Sequence, residues 1–121
     1  MSDHFMIPIV PGEIEIIASN EKLYQEYTTI LVLLHDLVSR YGLEDPHFQM
    51  TEAQIQKRLA AALKRIKKQN IDPELISTIE SNIEHAKSFS KHPQKHVDAD
   101  VFAKELLDEY ANLRRSRYST G

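Results

Sequence analysis

The residues best placed to bind a charged ligand are six basic side chains in the segment 57–68. The same predicted helix contains only one acidic residue, Glu52. At 100° per residue, five of the basic side chains share about a third of the circumference of a helix: Lys57, Arg58, Lys64, Arg65 and Lys68. Apolar residues fall on the opposite side, so the cations are expected to point to solvent: Ile55, Leu59, Ala62 and Ile66. Clustered Lys and Arg attract the phosphates of nucleic acid or the acidic surface of a protein. The alternative interpretation is a solvated face that balances the acidic first fifty residues.

Two helices joined by a short link at 70–72 also have the outline of a helix-turn-helix DNA-binding motif. The helix in the recognition position carries one base against three acids: Lys87, Glu74, Glu80 and Glu84. Carboxylates repel phosphates and offer no donors to guanine edges. If the chain binds nucleic acid, we therefore expect the contacts to come from the basic face and not from this motif.

A short carboxylate motif lies near the end of the chain, where Glu105-Leu106-Leu107-Asp108 has the pattern E-x-x-D. It resembles the second half of the magnesium site of the MazG-type all-α nucleotide pyrophosphohydrolases, in which an E-x-x-E motif comes first. The resemblance covers four residues and implies a metal-dependent nucleotide hydrolase. The upstream pair Glu80 and Glu84 departs from the family spacing by one residue, and the two leucines also fit a helix core.

Arg40 and His47 have six residues between them. This spacing resembles the R-x(4–6)-H motif of the HEPN ribonucleases, which implies RNA cleavage. That family carries the motif on a helix, whereas Gly42 and Pro46 place this pair in a loop.

The histidine pair His92 and His96 is the remaining candidate for metal binding. Pro93 between them disfavours the i, i+4 presentation that zinc histidines use on a helix, and the chain has no cysteine. No nucleophile with a matching base and no glycine-rich phosphate loop is apparent. We therefore predict no catalytic residues, no metal site and no cofactor.

Apolar residues at helical spacing predict the elements that must position these groups. We expect four helices, at about 20–41, 52–69, 73–90 and 99–117. Asn20 or Ser19 is expected to cap the first helix and Gly42 to end it, while Thr51, Asp72 and Asp98 are expected to cap the other three. The first helix is apolar around much of its circumference and is predicted to be central. The fold class is all-α, a single four-helix bundle-like domain over 20–118.

Residues 1–19 are predicted to form an extended N-terminal arm, because Pro8 and Pro11 interrupt a helix and Glu-Ile-Glu-Ile alternates with period two. The arm carries apolar side chains that are unexpected in water: Phe5, Met6, Ile7 and Ile9. They either close one end of the bundle or form a binding surface. In the second case the arm would pair with a second copy of the chain or insert into a partner's groove.

Composition sets the broad class of protein. The chain of 121 residues carries a net charge of −3, but its first fifty residues contain eight acids and two bases, whereas residues 51–97 contain five acids and nine bases. No apolar run is long enough to cross a membrane, and no secretory signal is apparent, so we expect a cytoplasmic protein. The leading hypothesis is a non-catalytic adaptor, regulator or immunity protein that binds a protein partner. Nucleic-acid binding through the basic face is the alternative.

Overall fold

The computed structural model of the chain describes residues 5–92 and 96–118. These residues form five α-helices: α1 (Pro11–Ser19), α2 (Glu21–Ser39), α3 (Glu52–Lys67), α4 (Pro73–Lys91) and α5 (His96–Tyr118). The described residues contain no β-strand, so the all-α class is confirmed. None of the described helices combines the length and the apolar character that crossing a bilayer requires.

The core is built around α2, which packs against each of the other four helices. Its buried residues cover about half of its circumference, a broad face of the kind that a central helix needs: Leu23, Tyr24, Tyr27, Ile30, Leu31, Leu33, Leu34, Leu37 and Val38. The stripes of the neighbouring helices meet α2 and join one continuous hydrophobic cluster. The largest contact surfaces of α2 are those with α5 and α3.

The extended arm is shorter than predicted, because the segment Pro11–Ser19 forms helix α1. Pro11 occupies the first turn, where its fixed φ suits a helix and its missing N–H is not needed. Ile17 and Ala18 are buried, and Ile14 packs against the core one turn earlier. The prediction failed because the Glu-Ile-Glu-Ile alternation spans only four residues, while the i, i+3 and i+4 spacing of these apolar side chains buries a helical face. The first four residues of the predicted arm lie outside the described part of the chain.

The predicted caps are confirmed at three helices. The Asn20 side chain accepts a hydrogen bond from the Leu23 N–H, Thr51 forms a capping box with Gln54, and Asp72 accepts from the Glu74 N–H ahead of α4. Such side chains satisfy the free N–H groups of a helix N-terminus. The fourth prediction is wrong, since α5 begins at His96 and Asp98 lies within its first turn.

A buried arginine fixes the connection from α2 to α3. Gly42 adopts the predicted left-handed conformation with φ 77°, and just before it Arg40 is buried. Its guanidinium lies 3.5 Å from Asp36 Oδ2 and 3.4 Å from Glu44 Oε1, and it stacks on the Phe48 ring at 4.3 Å. The same Glu44 oxygen accepts the Glu52 N–H at 2.8 Å. This network therefore ties the end of α2 to the first turn of α3 and sets where α3 begins.

The packing of α1 can be tested by comparing two adjacent isoleucines. Ile17 is fully buried and Ile16 is 59% exposed. We expect Ile17→Ala to lower the free energy of unfolding by about 3 kcal/mol, because it removes buried methyl groups and leaves a cavity. The matched change Ile16→Ala is expected to cost less than about 0.5 kcal/mol. Chemical denaturation at constant m-value measures both, and equal losses would show that α1 does not pack in this way.

Candidate functional site

The extended segment 5–10 lies against α4 and α5, whose polar side chains bind its backbone. Asn82 forms a two-way contact with Ile7, accepting the Ile7 N–H at Oδ1 (2.8 Å) and donating from Nδ2 to the Ile7 carbonyl (3.1 Å). Glu105 Oε1 accepts the Phe5 N–H at 2.8 Å and the Met6 N–H at 3.4 Å. Glu109 Oε2 accepts the Ile9 N–H at 3.4 Å. These side chains satisfy backbone groups that an extended segment cannot satisfy by itself.

The side chains of this segment mostly join the core. Met6 and Ile9 are buried, and Phe5 packs edge-on against Phe89 with 6.3 Å between ring centroids. Of the four residues predicted as an apolar binding surface, only Ile7 is largely exposed, at 47%. Phe5, Met6 and Ile9 therefore pack with the hydrophobic cluster of the helices, and Ile7 is the member of the set that faces solvent.

A buried polar pair lies beneath the segment. Burial raises the pKa of Glu109, and the hydrogen bond from the Ile9 N–H opposes this in part. Burial also raises the pKa of the neighbouring Tyr27 hydroxyl, and the charges of Glu109 and Glu13 raise it further. The fold thus disfavours the charged form of Glu109, because a carboxylate loses its hydration there.

The five predicted basic residues lie on the outer side of α3. All five are exposed, and their helix is anchored on the opposite side by the buried Ile55, Leu59, Ala62 and Ile66. Arg65 donates to Glu26 of α2 at 2.7 Å. The other four form no ion pair with any residue that the structure describes: Lys57, Arg58, Lys64 and Lys68. The predicted arrangement of the basic face is therefore present, with one cation of the five neutralised by α2.

Tertiary packing adds a sixth cation that the helical pattern of α3 could not reveal. A groove of about 310 Å³ between α2 and α3 is lined by Lys22, Gln25, Glu26, Arg65, Lys68 and Gln69. Lys22 comes from the first turn of α2, so it belongs to the acidic half of the sequence. We call the set of Lys22, Lys57, Arg58, Lys64, Arg65 and Lys68 the cationic surface. Four of these cations are the unpaired ones of α3. The amide groups of Gln25 and Gln69 in the adjoining groove can donate or accept hydrogen bonds.

Two carboxylates of the MazG-like interpretation, Glu105 and Glu80, have other partners. Glu105 binds the backbone of segment 5–10, and Glu80 forms an ion pair with Lys67 at 2.9 Å. Across residues 5–92 and 96–118, no group of three or more His, Asp or Glu side chains is placed to hold a metal ion.

The two residues of the HEPN-like spacing, Arg40 and His47, lie in different environments. Arg40 is buried in the connection from α2 to α3, whereas the His47 side chain is exposed and bonds to Asp45. The pair therefore shares no cleft in which the guanidinium and the imidazole could act on one phosphate.

The two hydrogen bonds between Asn82 and Ile7 predict that a mutation of Asn82 loosens segment 5–10 locally. We expect Asn82→Ala to lower the free energy of unfolding by about 1–3 kcal/mol, because it leaves the Ile7 N–H and carbonyl without partners. Hydrogen exchange should show faster exchange of the Ile7 amide than of amides in α2. The control Ser81→Ala changes an exposed neighbour on α4 and should leave Ile7 protected. Unchanged Ile7 protection in Asn82→Ala would contradict the contact.

The raised pKa of Glu109 predicts a pH-dependent stability. A carboxyl group with a raised pKa in the folded state stabilises the fold at pH values below its unfolded pKa of about 4.3 and loses this contribution as pH rises through the folded value. Glu109→Gln keeps an acceptor for the Ile9 N–H and removes the titration. Its stability relative to the wild type should therefore increase as pH rises from about 4 to 7. Asp108→Asn makes the same charge change at an exposed position of α5, and chemical denaturation of both variants isolates the effect. A parallel pH course for the two would contradict it.

The geometry leaves the cationic surface open to a partner, whereas segment 5–10 is engaged within the chain. Comparisons of the chain with models of protein families, with curated proteins and with solved structures found no match.

Proposed function

We propose that this protein is a non-catalytic binding protein whose cationic surface docks on an acidic surface of a protein partner. The observation that carries the proposal is the set of four exposed cations on α3, Lys57, Arg58, Lys64 and Lys68, that have no ion-pair partner among the described residues. Exposed cations of one sign on one face raise the rate of encounter with an acidic partner and select against basic ones.

The rigidity of α3 supports this role. The capping box at Thr51 and Gln54 fixes the start of the helix, and the Arg40 network holds its first turn against the end of α2. Four buried side chains then anchor the helix along its length. A surface that is ordered before binding loses less conformational entropy on association than a flexible one.

A protein partner fits the surface better than a nucleic acid. Glu26 lies in the groove beside Arg65, so a phosphate track along α2 and α3 would meet a carboxylate. The cationic surface contains no aromatic side chain on which bases of a single strand could stack. Phosphate binding by the unpaired cations of α3 is the second candidate function, and it is an explicit arm of the test below.

The carboxylate contacts support a role without catalysis. Glu105 and Glu109 both bind backbone N–H groups of segment 5–10. Such contacts orient the carboxylates toward the protein's own chain, whereas a magnesium-dependent hydrolase needs carboxylate oxygens free to coordinate the metal.

The test compares two double charge reversals in partner capture from the native host. Lys64→Glu with Lys68→Glu changes the cationic surface, and Lys91→Glu with Arg115→Glu makes the same change in net charge at exposed positions elsewhere. We expect the wild type and the Lys91/Arg115 variant to retain the same protein, and the Lys64/Lys68 variant to lose it. Purified partner is then titrated at about 50 and 200 mM salt, and affinity for the wild type should fall at the higher salt.

Nucleic acid is tested in parallel with labelled 20-nucleotide single strands and 20-base-pair duplexes by fluorescence anisotropy. Binding at low salt that the Lys64/Lys68 variant abolishes and the Lys91/Arg115 variant retains, with no captured protein, would replace the proposal by the nucleic-acid function. Capture of the same protein by all three forms would show that the partner docks elsewhere on the molecule.

A further inference from the structure

A second surface lies on the side of α2 that faces away from α3, and it exposes apolar side chains to solvent. It is a groove of about 190 Å³ between α2 and α5, lined by Leu31, Val32, His35, Leu106, Leu107 and Tyr110. Val32 is 55% exposed and Leu107 is 54% exposed, one on each helix. The two side chains line the same groove, so α2 and α5 together present one exposed apolar site.

The outer face of α5 carries a charge pattern that is complementary to itself. Leu107 lies at its centre, with Ala103 and Ala111 four residues before and after it, and Asp100 and Arg114 seven residues before and after it. Residues four and seven apart share one face of an α-helix, and Asp100, Leu107, Ala111 and Arg114 are all exposed. From its N-terminal to its C-terminal end, the face therefore carries an acidic residue, an alanine, a leucine, an alanine and a basic residue.

We propose that this face binds a second copy of the chain, with the two α5 helices antiparallel and crossing at Leu107. In an antiparallel pair centred on Leu107, Asp100 of one copy faces Arg114 of the other, and each alanine faces the opposite alanine. A two-fold axis repeats each contact, so the charge pair forms twice. A parallel pairing would place Asp100 against Asp100 and Arg114 against Arg114, which like-charge repulsion disfavours.

The groove supplies the packing for this arrangement. Small side chains on each side of Leu107 let the two helices approach closely, because interhelical distance depends on the residues at the contact. Leu107 of each copy then lies against Val32 and Tyr110 at the edge of the other copy's groove, where its apolar surface leaves water. The charge pairs at the two ends specify the register and orientation of the helices more than they add to affinity.

The experiment measures self-association of the full chain by sedimentation equilibrium. We expect a reversible dimer, and Leu107→Asp should raise its dissociation constant at least about tenfold, because it removes the central apolar contact twice and introduces two like charges. Ile16→Asp makes the same kind of change at an equally exposed position on α1 and should leave the dissociation constant unchanged. Circular dichroism confirms that each variant is folded.

Charge exchange tests the antiparallel register. Asp100→Arg and Arg114→Asp should each weaken the dimer, and the double variant should recover it, since the charges then attract in the reverse sense. The Tyr41 hydroxyl donates a hydrogen bond to Asp100, so Tyr41→Phe serves as the control that removes this bond while keeping Asp100, and it should leave the dimer intact. A wild type that stays monomeric up to about 0.5 mM, a dimer that Leu107→Asp does not weaken, or a double variant no better than the single ones would each overturn the proposal.

Discussion

A helix that is apolar along one whole side has to be covered on that side, and α2 imposes this requirement on the rest of the chain. Its buried residues face every direction in which a neighbouring helix lies, and each of the other four helices contacts it. The hydrophobic effect has no preferred direction, so the amphipathic stripes of α3, α4 and α5 determine which side each helix turns inward. The polar faces of these helices are then left outside, and the candidate surfaces are parts of those faces.

Backbone polarity sets a second constraint in segment 5–10, where the chain is extended. Segment 5–10 places two apolar side chains in the core, and its N–H groups would lose hydrogen bonds to water there. Asn82, Glu105 and Glu109 replace those bonds from α4 and α5. Burial removes the Ile9 N–H from water and makes its hydrogen bond to Glu109 necessary. The same burial raises the pKa of Glu109, because its carboxylate is also removed from water. Glu105, which belongs to the MazG-like motif in sequence, thus serves the packing of the N-terminal segment.

The two proposed interaction surfaces differ in physical character because they lie on different helices around α2. The cationic surface of α3 and the first turn of α2 is rich in unpaired charge and has one internal ion pair, Arg65 with Glu26. The α5 face has one apolar residue at its centre and one charge of each sign at its ends. A surface of a single sign suits a partner of opposite charge, whereas a surface with both signs arranged symmetrically about an apolar centre suits its own copy. The two sets of residues share no member.

Features that depend on neighbours three or four residues away can be read from the amino-acid pattern alone. The long helices and three of their N-caps follow from such local spacing, as does the solvent exposure of the five cations of α3. Helix α1 was missed because a four-residue alternation and two prolines suggested extended chain, although Pro11 begins a helix that the core then stabilises. Contacts between residues distant along the chain were decided only by the tertiary structure. Lys22 beside Lys68, Arg65 paired with Glu26 and Asn82 bound to Ile7 each join separate elements, and no local pattern encodes which elements meet. Helical periodicity is a property of one segment, whereas a site is made by the way α2 brings the segments together.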